Sequence, residues 1–483
     1  MTDFRDLPKQ WLICRKKPKT VIEGHSQEFS GYCIQAANHL PILRLMDANE
    51  NQIGCLIGWV IYQARLYRRN DEIYLADNES IEDFFSALGG QFVLFWKDPS
   101  GRTYLRENSS GSFPAVYAPE LEAAASTVTM LQTVGALEES AEVKAVFNFP
   151  ESRGFLPFGL TSKNGAYRLM PNHVLDMNTF SSHRVWPDKK FCSQPPLSAD
   201  EINAHVKSIS QIVKRNTQAI LGQGETVLYL SGGHDSRMVL AAARGNTGNI
   251  RCETLGTAAS LDAYIATKVA RIAQVAHRTV EVIPASRDEV WSWLRRTGFT
   301  MYDPVSELVA TAVANAPANH PVSGTGAELG RGSNWNKEDI LSKTIDLDGL
   351  LSRLRIPDKP VIRQAGQAWL ESLPDADAAM ILDIAKIEQI HGCWAGAAVY
   401  GHPLPLPSLL PFVSQRINEM ALSLPKEYRK NGQFYQDYMK LLWPELLEVP
   451  VNKAQGIARL KFWRTEVKSR IPQRLKRWLK PFR

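Results

Sequence analysis

The chain has 483 residues, 44% of them hydrophobic and 22% charged, which excludes a fibrous or disordered protein and calls for more than one hydrophobic core. Its six cysteines (Cys14, Cys33, Cys55, Cys192, Cys252, Cys393) stand singly, with no CxxC pair, so neither a zinc site nor a disulfide framework is suggested, and no apolar run reaches membrane-spanning length. The net charge of +6 is unevenly placed, with nine Lys or Arg against one Glu between Leu460 and Arg483.

The first ~185 residues read as short strands broken by turns, for example Gly54 to Tyr62 and Gln91 to Trp96. The polar, Pro-bearing stretch from Asp188 to Pro196 reads as a linker. Ser198-Ala199-Asp200-Glu201 is a capping box, and Ile202, Val206, Ile209 and Val213 then recur on one helical face. Thr226 to Leu230 predicts a buried parallel strand and Met238 to Arg244 a helix. Further strands are expected at Arg251 to Leu255 and Thr279 to Ile283, with a helix over Leu261 to Val275 between them. Strands alternating with helices predict a doubly wound α/β sheet, with ligands at the carboxyl ends of its strands. From Leu341 onwards the pattern is mainly helical. Arg470 to Lys480 predicts a basic amphipathic helix, a surface for an anionic membrane, an acidic peptide or partner protein, or RNA; with the singly placed cysteines, the expected location is cytoplasmic or membrane-peripheral.

The chemistry concentrates in Ser231-Gly232-Gly233-His234-Asp235-Ser236, between the predicted strand and helix. Two glycines let the backbone approach an anion, and N–H groups at the helix start point at it. Ser231 and Ser236 add hydroxyl donors, and Asp235 can hold magnesium beside phosphates. A Walker A loop would need a GK step, which is absent. Glu388 and His391, three apart on a predicted helix, form a candidate acid–base pair.

The hexapeptide resembles the SGGxDS loop of the PP-loop ATP pyrophosphatases, and the chain as a whole resembles the asparagine synthetase family. Leu88 to Asp98 is similar to that family's G-x-F-A-F-A-L-W-D strand, and Arg106-Glu107-Asn108 through Tyr117 to its R-D-x-x-G-x-x-P-L-Y segment. Leu169-Met170-Pro171-Asn172-His173 resembles L-P-P-G-H. Asp303-Pro304 resembles its acidic-Pro step, and Ser323 to Gly330 resembles S-G-E-G-A-D-E-L-F-G. Val451 to Gly456 resembles the segment holding a catalytic lysine, here Lys453.

The resemblance implies an Ntn-hydrolase-like, glutamine amidotransferase-like domain over 1–188 and a synthetase domain over 198–460, with a basic tail, 461–483, at the end. It further implies ATP and Mg2+ as cofactors. The phosphates would lie on Ser231, Gly232, Gly233, Asp235 and Ser236, and the adenosine near Leu255, Ser323 and Gly324. Asp235 and Glu328 would hold the magnesium, and Lys453 would act in catalysis. The implied reaction is AMP-forming activation of a carboxylate, then amide formation with an amine; no nucleic acid is expected as partner.

The family's glutaminase uses a cysteine at the amino terminus, whereas this chain begins Met1-Thr2-Asp3. Thr2 becomes an N-terminal nucleophile only after loss of Met1, and Cys14 only after further processing. The expectation is therefore a degenerate first domain. The amine then comes from the substrate, as in β-lactam synthetases and lasso-peptide cyclases. A peptide or a sugar acid of surface-polysaccharide synthesis remains open as substrate, and so does a catalytically inactive nucleotide- or peptide-binding relative.

Overall fold

The computed structural model describes residues 7–16, 18–19, 23–455, 459 and 462. The chain is a mixed α/β structure. One amino-terminal sheet runs in the order Tyr167–Arg168, Val116–Ala118, Ala123–Ala125, Trp11–Cys14, Tyr32–Ala37 and Gly24–Phe29. A second, larger sheet has Thr103–Glu107, Gly89–Lys97, Gln52–Tyr62 and Ile42–Met46 at its centre.

Alternation along the strands shows how these sheets pack. Trp11 and Ile13 share one buried cluster with Ile57, Trp59 and Phe95 of the larger sheet, and Phe95 meets Phe29 and Tyr32 edge-on. The intervening Leu12 and Cys14 turn the other way, onto Val128 and Leu131 of a short helix. Leu56 and Val60 likewise turn onto Phe84 and Phe85 of the helix Ile81–Ala87. Two sheets face each other, and a short helix lies on each outer face.

Asp188 to Pro196 is not wholly irregular: Asp188 caps a helical turn, Lys189–Cys192, whose Phe191 packs on Trp186. Ser198 and Glu201 form the expected capping box on the helix Ala199–Leu221. The parallel sheet contains Thr226–Tyr229, Ile250–Leu255 and Ala276–Val280. Parallel bridges extend it through Val322 to Leu409. The third strand therefore lies earlier than Thr279 to Ile283. Its last pair is Leu255 with Val280, and once that partner strand ends, Val282 and Ile283 run on exposed. The helix after the first strand also begins early, at Asp235.

Beyond Leu347 the chain is helical as expected. Lys386–Gly396 departs from α geometry and is a wide π-helix with i→i+5 spacing. Trp11, Trp59 and Phe95 join Leu228, Met238 and Tyr438 in one cluster, so both halves contribute to a shared core. Trp11 Nε1 donates to Tyr400 Oη at 3.0 Å, and Tyr400 Oη donates to the Pro114 carbonyl at 2.7 Å. Among the described residues, no helix is long and apolar enough to cross a membrane. The basic tail, apart from Phe462, and Thr2 lie outside the described residues.

Candidate functional site

The Ser231–Ser236 loop leaves the carboxyl end of the strand Thr226–Tyr229 and runs into the helix Asp235–Ala242. It is held largely by its own groups. Ser231 N–H donates to Ser236 Oγ at 3.0 Å, and Gly233 N–H to Ser231 Oγ at 3.2 Å. Gly232 N–H donates to Asp262 Oδ1 at 2.9 Å. Beneath it, His234 sets its ring edge-on against Tyr435 at 4.5 Å. Burial, helped by the Arg331 and Arg237 charges, lowers that imidazole to about 4, so it is neutral near pH 7.

A second loop closes over the first. Val322 N–H donates to the Val227 carbonyl at 2.7 Å, which carries Ser323 and Gly324 alongside the strand end. At Gly324 the backbones almost touch: a Cβ there would lie 2.4 Å from the Asp235 carbonyl carbon. Buried Arg429 steadies the far side of this loop by donating to the Leu329 carbonyl at 3.0 Å and to Asp383 at 2.7 Å. A third segment arrives from far along the chain, where Asn452 N–H donates to the Gly232 carbonyl at 3.0 Å. Asn452 adopts φ +53, a conformation asparagine tolerates well. Lys453 comes next, exposed and without an ion pair among the described residues.

A cavity of about 330 Å³ opens at the carboxyl ends of the parallel strands, where such sheets bind ligands. Its walls include Tyr229, Leu255, Val280 and Ser323, with Thr325 and His391 farther round. Two of the residues assigned to adenosine, Leu255 and Ser323, thus line one space. Ser231 to Ser236, Gly324 and Lys453 do not line it; the first loop reaches its edge through Gly324, the neighbour of Ser323.

The two carboxylates assigned to magnesium are both engaged. Arg331 forks onto Asp235, with Nε to Oδ1 at 3.1 Å and Nη2 to Oδ1 and Oδ2 at 2.8 and 2.7 Å. Glu328 takes His391 Nε2 at 2.9 Å and Lys386 Nζ at 3.4 Å on Oε1, and Gly326 N–H at 2.7 Å on Oε2. Burial pushes the Asp235 carboxyl up against the pull of Arg331, and the neighbouring Glu328 charge adds to the push. At Glu328 burial acts in the same sense but is outweighed by His391 and Lys386, which hold its carboxyl well below the usual range. As arranged, this pair does not fit a magnesium ion: each carboxylate already has a cation of the chain as its counter-charge. A cluster of three or more metal-ligating side chains is absent among the described residues.

Glu388 and His391 do not share a site. Glu388 is fully buried and accepts from Arg184, Trp369 Nε1 at 2.7 Å and Asn172 Nδ2 at 3.0 Å, whereas His391 turns to Glu328. The wide helix is the reason. In an α-helix residues five apart diverge by about 140°, but i→i+5 spacing stacks Lys386 and His391 over one carboxylate. Arg331, Lys386 and Asp262 were missed in the sequence. Arg331, between two glycines and three residues after Glu328, is the one of them with a local signal.

No protein-family model and no curated protein sequence matches the chain. Among solved structures, a glutamine-dependent NAD+ synthetase from Acinetobacter baumannii, in complex with ADP, is similar over 47% of this chain at 18% identity. The match spans 41% of that protein with a TM-score of 0.19, a superposition too weak to bear on fold or activity.

Proposed function

We propose that the chain is an ATP-dependent ligase that joins a carboxylate to an amine through an acyl-adenylate. The observation that carries this reading is the junction of Ser231–Ser236 with Ser323–Gly324 at the rim of the strand-end cavity. In this reading the phosphates of ATP lie on the first loop and the adenosine against Leu255, Val280 and Ser323. A substrate carboxylate oxygen attacks the α-phosphorus, and the bond to pyrophosphate breaks. The amine nitrogen then attacks the acyl carbon, AMP leaves with the C–O electron pair, and the amine gives up a proton. Lys453, beside the loop, stabilises charge developing on the phosphate.

The amine belongs to the substrate. Cys14 speaks against a glutaminase built on that residue, because burial pushes its thiol up to about 12, far from a nucleophilic thiolate. Closure of a lasso-type macrolactam is the specific form favoured here. Leu308, Leu404, Leu406 and Leu410 give the cavity an apolar wall suited to a peptide side chain more than to a sugar acid, the alternative substrate. The second reading, an inactive nucleotide-binding relative, draws on the ion-paired state of Asp235 and Glu328.

AMP and pyrophosphate release from ATP, measured with peptide and sugar-acid fractions of the host cell, tests the proposal. Release that tracks one fraction and disappears in Lys453→Ala and Asp235→Ala supports the ligase. ATP binding with no AMP from any fraction favours the inactive relative.

A further inference from the structure

Arg331 makes three contacts to Asp235, through Nε and Nη2. Nη1 makes no hydrogen bond among the described residues. The pair is not sealed away, with side chains 24% and 31% exposed for Arg331 and Asp235. Its place is set from behind, since Arg429 holds the Leu329 carbonyl and Lys430 the Gly332 carbonyl at 3.1 Å, on either side of Arg331.

A bare carboxylate at the mouth of a phosphate loop repels a polyphosphate, and a divalent cation between the two is the common remedy. Here a guanidinium already stands on that carboxylate. A planar fork with two donors to spare also matches the geometry of phosphate oxygens better than an ammonium would. Glu328, the other carboxylate of the site, is likewise answered by Lys386 and His391. Asp235 and Glu328 thus each have a cation of the chain as counter-charge, which leaves neither of them free for a metal ion.

We infer that Arg331 takes the place of magnesium at this loop, cancelling the charge of Asp235 and receiving phosphate oxygens on Nη1, so that the site binds metal-free nucleotide polyphosphate. The inference rests on the nucleotide reading of the loop and adds a metal requirement opposite to the one the sequence resemblance implies.

The test is calorimetric titration of the full-length protein with ATP in EDTA and, separately, with MgATP. The expected result is affinities within roughly threefold of each other, since the charge-assisted contact is already present without metal. Arg331→Gln should cost roughly tenfold in EDTA and less with magnesium. Arg331→Lys should restore part of the loss, because charge returns without the fork. A wild-type protein that loses more than roughly tenfold on chelation, or an Arg331→Gln protein that binds metal-free ATP like wild type, overturns the inference while leaving the nucleotide reading intact. Absence of ATP binding in both buffers overturns the nucleotide reading itself, and this inference with it.

Discussion

Gly324 meets Asp235 backbone to backbone: a Cβ at position 324 would stand 2.4 Å from the Asp235 carbonyl carbon and 2.6 Å from its oxygen. No side-chain atom is there to swing aside. Gly324→Ala should therefore part the two loops, at a cost of about 1–3 kcal/mol in urea unfolding. ATP affinity should fall at least roughly tenfold, since both loops form the proposed site. Unchanged ATP binding in this variant would show that the second loop is no part of it.

Arg184 and Glu388 form a buried pair, with Nη1 to Oε1 at 2.5 Å and Nη2 to Oε2 at 2.9 Å. Arg184→Met would strand a buried carboxylate and is expected to cost about 3–5 kcal/mol. Burial alone would raise the Glu388 carboxyl, but Arg184 outweighs it and the net shift is downward from 4.5. A folded value below the unfolded one gives stability that is complete above pH 4.5 and lost as the pH falls below it. Urea midpoints across acid pH should show this loss in the wild type and a shallower one in Arg184→Met.

Glu107 predicts the opposite slope. It is completely buried; Oε2 accepts the Ala115 N–H at 2.9 Å, while Oε1 has no partner among the described residues. Burial pushes its carboxyl up from 4.5 to about 8. The folded state therefore holds this proton more tightly than the unfolded chain, so stability declines as the pH rises from 4.5 to about 8. Glu107→Gln, permanently neutral, should remove that decline and gain about 1–2 kcal/mol over wild type at pH 8. Parallel stability curves for the two proteins between those pH values would refute the assignment.

Cys14 lies within a central strand, fully buried, with its thiol pushed up to about 12 by burial and by Cys33. Thiol alkylation of the native protein, read by peptide mass spectrometry, should leave Cys14 unmodified while the half-buried Cys33 and Cys192 are the first to react. Rapid labelling of Cys14 would reopen a nucleophilic role for it.

Much of this protein was legible where cause and consequence are close together along the chain. An apolar run, a Gly-Gly turn and a helix start are set by local backbone preferences, so Ser231 to Ser236 could be placed on a strand–helix junction before any contact was known. The Ser198–Glu201 box and the alternating strands are local in the same way. The ionic partners are not. Asp235 meets Arg331, Glu388 meets Arg184, and Asn452 meets Gly232 only after the chain has folded back on itself, and no spacing in the sequence encodes those pairings. Lys386 and His391 reach Glu328 together because a helix widened to i→i+5 spacing, a choice made by its packing and invisible to a 3.6-residue period. Local propensity therefore decided where the Ser231–Ser236 loop lies. Tertiary packing decided which charges surround it, because an ion pair is chosen by proximity in space.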